Sequence, residues 1–266
     1  MAFVTFLTDF GLEDDFVGTC HGVIAGIAPE ARVIDLTHGI APQAVLQGAV
    51  VLRNALPFMP PGVALAVVDP DVGGNRRAIG VATADGRILV GPDNGLLLLA
   101  ADAAGIEAAH ELTNPEYRLP AVSRTFHARD VFAPAAAHLA TGVALSELGP
   151  AIDAATLVRI DLPAPRVGTS QIVATVIVVD RFGNVALNLG RSDVEAAGLA
   201  PRDRVEVRLS HDRYYAVVAD TFADAEAGEL ILYEDSYGME TLAITRGSAA
   251  RLTGVSEGDE LRLSPA

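Results

Sequence analysis

The chain changes texture once along its length, and that change limits the possible folds more than any single motif. Before Asp161, short apolar runs alternate with stretches of helical periodicity. FVTFLT at 3–8, ARVIDL at 31–36, VALAVV at 63–68, AIGVAT at 78–83 and RILV at 87–90 have the length and apolar content of short buried strands. Between several of them, residues 14–27, 42–56, 95–103 and 130–141 carry apolar side chains at helical spacing, with Asp130 placed to cap the last. This alternation predicts an α/β unit with a mostly parallel sheet. After Asp161 the segment LPAPRVGTS suits a linker, and the remainder is strand-rich: 172–179, 204–209, 213–219, 229–233, 239–244 and 259–263 recur at the spacing of a small barrel or sandwich. We therefore expect an α/β N-terminal domain over 1–165 and a smaller β-rich C-terminal domain over 166–266. No internal repeat interrupts this division.

Composition removes several chemistries. All 19 basic residues are Arg and the sequence contains no Lys. A Schiff-base lysine, a pyridoxal-phosphate anchor, a P-loop lysine and a kinase strand lysine are thereby excluded, so DFG at 9–11 is not a kinase motif. A net charge of −15 supplies no basic stripe for phosphates, and nucleic acid is not expected as a partner. The single Cys20 permits neither an internal disulfide nor a cysteine metal cluster and is read as a packed small side chain. No apolar run approaches the roughly 20 residues of a membrane span, and MAFVTFLTDFG lacks the basic residues of a signal peptide. A cytoplasmic protein without membrane contact is expected.

The run Val63–Val68 ends at Asp69 and breaks at Pro70, Gly73 and Gly74. That places a carboxylate at the carboxyl end of a buried strand, where open α/β sheets bind ligands. Arg76, beyond the glycine turn, is close enough in sequence to fold back on Asp69. With His127 of TFHARD these residues form a candidate polar cluster for placing a water. The other five histidines, His21, His38, His110, His138 and His211, have no comparable context and are read as structural.

Six segments follow one another in order: TDFG at 8–11, DPDVGGNRR at 69–77, GPDNGLL at 91–97, TFHARDVFAPAAAHLA at 125–140, DRFGN at 180–184, and DSYG at 235–238 followed by GSAA at 247–250. Together, over nearly the whole chain, they resemble the SAM hydroxide adenosyltransferase family, adenosine-forming S-adenosyl-L-methionine hydrolases related to fluorinase and chlorinase. The resemblance implies attack of water or hydroxide on ribose C5′, giving adenosine and methionine, with no metal or redox cofactor. It also implies a homotrimer with sites at subunit interfaces. In the fluorinase pattern the Asp69 position is Tyr, the Val72 position Thr and the Ala128 position Ser. A carboxylate at Asp69 would repel halide and hydrogen-bond to water, which favours hydrolysis over halogenation.

On this resemblance Asp69, Arg76 and His127 are the catalytic residues. Asp69 orients the water first and accepts a proton second, because an Arg partner makes a carboxylate a weaker base. Asp9 would receive the ribose hydroxyls, Asp180 the methionine amine, Phe182 and Asn184 the adenine, and Ser236 the methionine end. Two positions depart from the fluorinase pattern: Tyr237 replaces an Arg for the methionine carboxylate, and Gln43 replaces an adenine-stacking Trp. The competing readings are a chlorinase-like halide adenosyltransferase, a divalent-metal hydrolase using Asp9, Asp69, Asp93 and His127, and a non-catalytic adenosine- or SAM-binding trimer.

Overall fold

Alternating apolar residues on β3 (Val63–Val67) sort the first half of the chain into layers. The computed structural model describes residues 2–209 and 212–266, so His211 lies outside the described residues. The chain divides into two compact units, residues 1–160 and 161–266.

The first unit runs β1 (Phe3–Thr8), α1 (Phe16–Ile27), β2 (Arg32–Thr37), α2 (Val45–Ala55), β3, β4 (Ala78–Thr83), β5 (Ile88–Pro92), α3 (Leu98–Ala104), β6 (Ile106–Glu111) and α4 (Ala133–Ala140). Six strands form one sheet in the order β2-β1-β3-β5-β4-β6. β1 is parallel to β2 and β3, β3 is parallel to β5, and β4 runs antiparallel to both β5 and β6. Only β4 is reversed, so the sheet is mixed but mostly parallel, as the alternation predicts. All five residues of β3 are buried. Successive side chains point to opposite faces, so Val63, Leu65 and Val67 pack with Cys20 and Ile24 of α1 and Ala136 of α4, while Ala64, Ala66 and Val68 pack with Leu52 of α2 and Leu98 of α3. Helices thus cover both faces. Cys20 is a packed core residue, and burial pushes its thiol up to about 12.

Two local expectations fail. β6, IEAAHE, was not anticipated because in its Ala-rich, half-buried sequence Ile106 is the one β-branched residue of the kind that marks strands. Asp130 does not cap a helix. Residues Ala128–Phe132 form a π-helical turn that runs into α4, so the helical backbone begins before Asp130 and Pro134 falls in the first turn of α4. The fully buried Asp130 carboxylate instead accepts from the Ser123 amide at 2.8 Å and from Arg129 Nε at 2.6 Å.

The second unit runs β7 (Arg166–Val167), β8 (Ile172–Val179), β9 (Val185–Leu187), α5 (Arg191–Ala196), β10 (Arg204–Arg208), β11 (Arg213–Val218), β12 (Leu230–Glu234), β13 (Glu240–Ile244), α6 (Ala249–Thr253) and β14 (Glu260–Pro265). The sheet order is β14-β10-β11-β12-β13-β9-β8-β7, and an additional β14–β8 pairing closes seven strands into a barrel with β7 outside it. Inward residues alternate along each strand: Ile172, Ala174 and Val176 on β8, Val205 and Val207 on β10, Leu261 and Leu263 on β14. β7 lies within the segment read as a linker and pairs with β8. β9 is three residues long, too short for a period to show, and α5 and α6 are single short helices. Among the described residues, no helix is long and apolar enough to cross a membrane.

Candidate active site

The carboxyl end of β3 delivers Asp69. Asn94 of the GPDN segment donates from Nδ2 to the Val68 carbonyl at 2.8 Å, fixing the strand end. The chain then turns through Val72 N–H to Asp69 O (3.3 Å) and Gly74 N–H to Asp71 O (2.9 Å). Gly73 is required in this turn. Its φ is +79°, and a Cβ there would lie 2.2 Å from the Arg124 carbonyl oxygen, so only glycine lets the loop touch the segment that leads to His127.

Arg76 folds back as a fork. Its Nε lies 3.0 Å from each Asp69 oxygen and its NH2 group 2.5 Å from Oδ2. The same NH2 group lies 2.7 Å from His127 Nδ1, across 51 residues of sequence. The ion pair is buried, with the Asp69 and Arg76 side chains 5% and 8% exposed. The Arg76 guanidinium also lies 5.1 Å from the centre of the Phe132 ring, which leaves it little freedom to turn away. Burial, and next the positive charge of Arg76, push His127 below the ordinary histidine range. A guanidinium can only donate, so His127 Nδ1 accepts and the neutral ring carries its proton on Nε2. His127 is thereby a donor at Nε2.

Asp69 and His127 line a cavity of about 690 Å³, together with Val72, Ala128, Asp9 and Gln43. This size suits a small-molecule site. Three further lining residues, Phe10, Phe16 and Phe126, meet edge to face with ring centres 5.2–6.1 Å apart, giving the cavity an apolar wall. Asp9, at the end of β1, accepts the Gln43 amide on Oδ2 at 2.8 Å. Gln43 holds a φ of +66°, an uncommon conformation for a residue with a side chain. Asp69, Arg76, His127 and Asp9 are thus gathered in the first unit. Asp93, by contrast, is bound to Arg77 Nε at 2.7 Å and to the Val158 amide at 2.9 Å. The four ligands of the metal-hydrolase reading do not converge. Among the described residues, the group that does come together at metal-ligand spacing is His21, Asp35 and His38. Sequence reading missed it, because the residues sit on a helix face and at a strand end, and the one local signal was Asp35 three residues before His38.

In the second unit Asp180, Phe182 and Asn184 share one turn between β8 and β9. Asp180 Oδ1 accepts the amides of Phe182 (2.8 Å) and Asn184 (2.9 Å), and Oδ2 accepts Asn184 Nδ2 (2.7 Å). The carboxylate organises its own turn. Gly183, at φ +82°, would place a Cβ 1.9 Å from Ser248 Oγ, and its carbonyl accepts the Ala250 amide at 2.9 Å, so DRFGN packs on GSAA. Phe182 is 78% exposed. Ser236 and Tyr237 lie elsewhere. Val185 pairs with Leu242 and Ala186 with Thr241, so the Asp180–Asn184 turn lies at the carboxyl end of β13 and the turn bearing Ser236 at its amino end.

Comparison with known proteins agrees with both units. Residues 4–149 match the SAM hydroxide adenosyltransferase N-terminal domain and residues 174–262 its C-terminal domain. The chain is 48% identical to an (R)-S-adenosyl-L-methionine hydrolase of Salinispora tropica, over 98% of this chain and 97% of the relative. It is 40% identical to one of Thermus thermophilus, over 98% of each. Identity to a fluorinase of Actinoplanes is 30%, over 92% of this chain and 91% of the relative. A crystal structure of a conserved protein from Thermotoga maritima superposes with a TM-score of 0.91 at 36% identity, covering 98% of this chain and 99% of the other. The chain belongs to the SAM hydroxide adenosyltransferase family.

Proposed function

We propose that this protein hydrolyses S-adenosyl-L-methionine to adenosine and L-methionine by attack of water on ribose C5′. The observation that carries the reading is the buried Asp69–Arg76–His127 array, with Asp69 and His127 on the wall of a cavity whose neighbouring walls are Val72 and Ala128. The names of relatives aligned over nearly their full length support the same reaction.

The chemistry asks for placement more than activation. The sulfonium is already a good leaving group. An O–C5′ bond forms as C5′–S breaks, the electron pair leaves on sulfur as the methionine thioether, and the water loses one proton. Holding that water in line with the C5′–S bond supplies on the order of 7–11 kcal/mol through proximity and orientation. Asp69 accepts one water hydrogen with a lone pair that Arg76 does not occupy, a carboxylate having about four such sites. The neutral His127 donates from Nε2 to the water oxygen and so fixes which lone pair faces carbon. His127 in this tautomer is a positioning donor, and the water's proton passes to Asp69 or to solvent. Val72 and Ala128 offer no hydroxyl to a halide, and the Asp69 carboxylate repels one. Asp9, on the cavity wall, is the proposed receptor for the ribose hydroxyls, and Asp180, Phe182, Asn184 and Ser236 are the proposed partners of the methionine and adenine ends. The reaction as written uses no metal or redox cofactor.

Assembly as a homotrimer in the cytoplasm belongs to the same reading, and light scattering at three times the 27.6 kDa chain mass is its check. The function itself is tested by incubating purified protein with S-adenosyl-L-methionine, with and without chloride and chelator. Chromatography is expected to give adenosine and methionine in equal amounts under every condition. A 5′-chloro-5′-deoxyadenosine product, activity abolished by chelator, or bound substrate without methionine release would each overturn it.

A further inference from the structure

Away from the cavity, three side chains that the proposed reaction leaves unused meet on the far side of β1. His21 projects from α1, Asp35 from β2, and His38 follows β2 by one residue. His21 Nε2 lies 2.8 Å from Asp35 Oδ1, and His38 Nε2 lies 3.1 Å from the same oxygen. One ligand atom from each of the three falls within 4.8 Å of the others.

His38 makes a plain hydrogen-bonded cluster insufficient. Its side chain is 3% exposed, and its Nδ1 is engaged by Thr8 Oγ1 at 2.8 Å. Its Nε2 is nevertheless buried with no hydrogen-bond partner: Asp35 Oδ1 is near enough but in the wrong direction. A ring held at Nδ1 by an oxygen, with Nε2 bare and two other ligand-type atoms within 4.8 Å of it, is the arrangement in which histidine binds metal. The outer hydrogen bond sets the tautomer and orientation. Phe6 fixes both rings from the apolar side, with centres 5.9 Å from His21 and 4.8 Å from His38.

We infer that His21, Asp35 and His38 form a binding site for one first-row divalent transition-metal ion, structural in role and separate from the substrate cavity. Two imidazoles and one carboxylate are the donor set such ions take. Metal–ligand bonds of about 2.0–2.2 Å hold neighbouring ligand atoms about 3.3–3.6 Å apart at the tetrahedral angle and about 2.8–3.1 Å apart at right angles; the observed 2.8 and 3.1 Å match the right-angled spacing, and the third pair lies within 4.8 Å. The half-exposed His21 and Asp35 give the ion an entry path and room for water as the remaining ligands. The ion would tie α1 to the end of β2. The clamp reaches the loop after β1, since the His38 carbonyl accepts the Gly11 amide at 2.8 Å and Thr8 Oγ1 accepts the Phe10 amide at 3.2 Å.

The test is zinc titration of the full, tag-free chain after chelator treatment, read by calorimetry and by thermal unfolding, on wild type, His21→Gln, Asp35→Asn and Asp69→Asn. Wild type and Asp69→Asn are expected to bind one zinc per chain and to gain Tm with rising zinc. His21→Gln and Asp35→Asn, both at half-exposed positions the fold tolerates, are expected to lose the Tm gain and at least about tenfold in affinity, the loss typical even when an outer partner of a metal ligand is removed. Absence of zinc binding by wild type, or equal binding by wild type and both cluster variants, overturns the site. Retention by Asp69→Asn, whose turnover is lost, keeps this result distinct from the reading of the cavity.

Discussion

Removing Arg76 tests whether the Asp69 pair is a coupled unit. In Arg76→Met the Asp69 carboxylate, 5% exposed, keeps its burial and loses three contacts of 2.5–3.0 Å. Breaking a buried pair from one side costs about 3–5 kcal/mol, chiefly because the surviving charge is left uncompensated. In Asp69→Asn the guanidinium retains His127 Nδ1 as an acceptor, so the loss is smaller, about 1–3 kcal/mol for charge-assisted bonds. The double variant leaves no lone carboxylate and is expected to be more stable than Arg76→Met alone. The cycle therefore predicts a coupling of about 1.5–3 kcal/mol. The chain has no Trp, so urea unfolding followed by far-UV circular dichroism is the assay. If the two single losses add to within about 0.5 kcal/mol, the pair is not coupled and the reasoning fails.

Other consequences follow from the same geometry. Gly73→Ala forces a side chain into a φ of +79° and against the Arg124 carbonyl; the backbone alone costs about 1–2 kcal/mol, and turnover should fall with it because Asp69 and His127 lose their shared loop contact, whereas unchanged kinetics and stability would contradict the required approach. Because the folded-state value of His127 is depressed below 6.5, the unfolded chain binds a proton first as pH falls. Stability is therefore lost as pH drops from about 6.5 toward the lower folded value, and it rises with pH across that window. His127→Gln should remove its own share of this slope, leaving the contribution of His138, which burial also lowers, and that of Glu240, which burial pushes up to about 7 and which acts with the opposite sign; an unchanged slope would show that His127 is not the group responsible.

The part of the site that was legible in the sequence is the part made locally. An apolar run ending at Asp69, then Pro and Gly, then Arg76 seven residues on, is one strand, one turn and one returning side chain, each with its own sequence mark. His127 joins from 51 residues away and was legible only through the TFHARD segment. What was missed depends on contacts that no local pattern encodes. Asp130 looks like a cap, but a π-helical turn and Arg129 make it a buried anchor for Ser123. Asp93 looks like a ligand, but Arg77 and the Val158 amide, 65 residues on, already hold it. β6 and β9 escaped because an Ala-rich edge and a three-residue strand carry little periodicity. The cluster of His21, Asp35 and His38 escaped because burial of Phe6 and the parallel pairing of β1 and β2, not spacing, bring it together.

The central claim is that Asp69 places water, and a single turnover in ¹⁸O-labelled water tests it most directly. Wild type is predicted to give adenosine carrying the label in its 5′-hydroxyl and methionine without it, while Asp69→Asn binds S-adenosyl-L-methionine with little change and forms labelled adenosine more slowly by orders of magnitude. Unlabelled adenosine from wild type, or labelled adenosine from Asp69→Asn at the wild-type rate, would contradict the account.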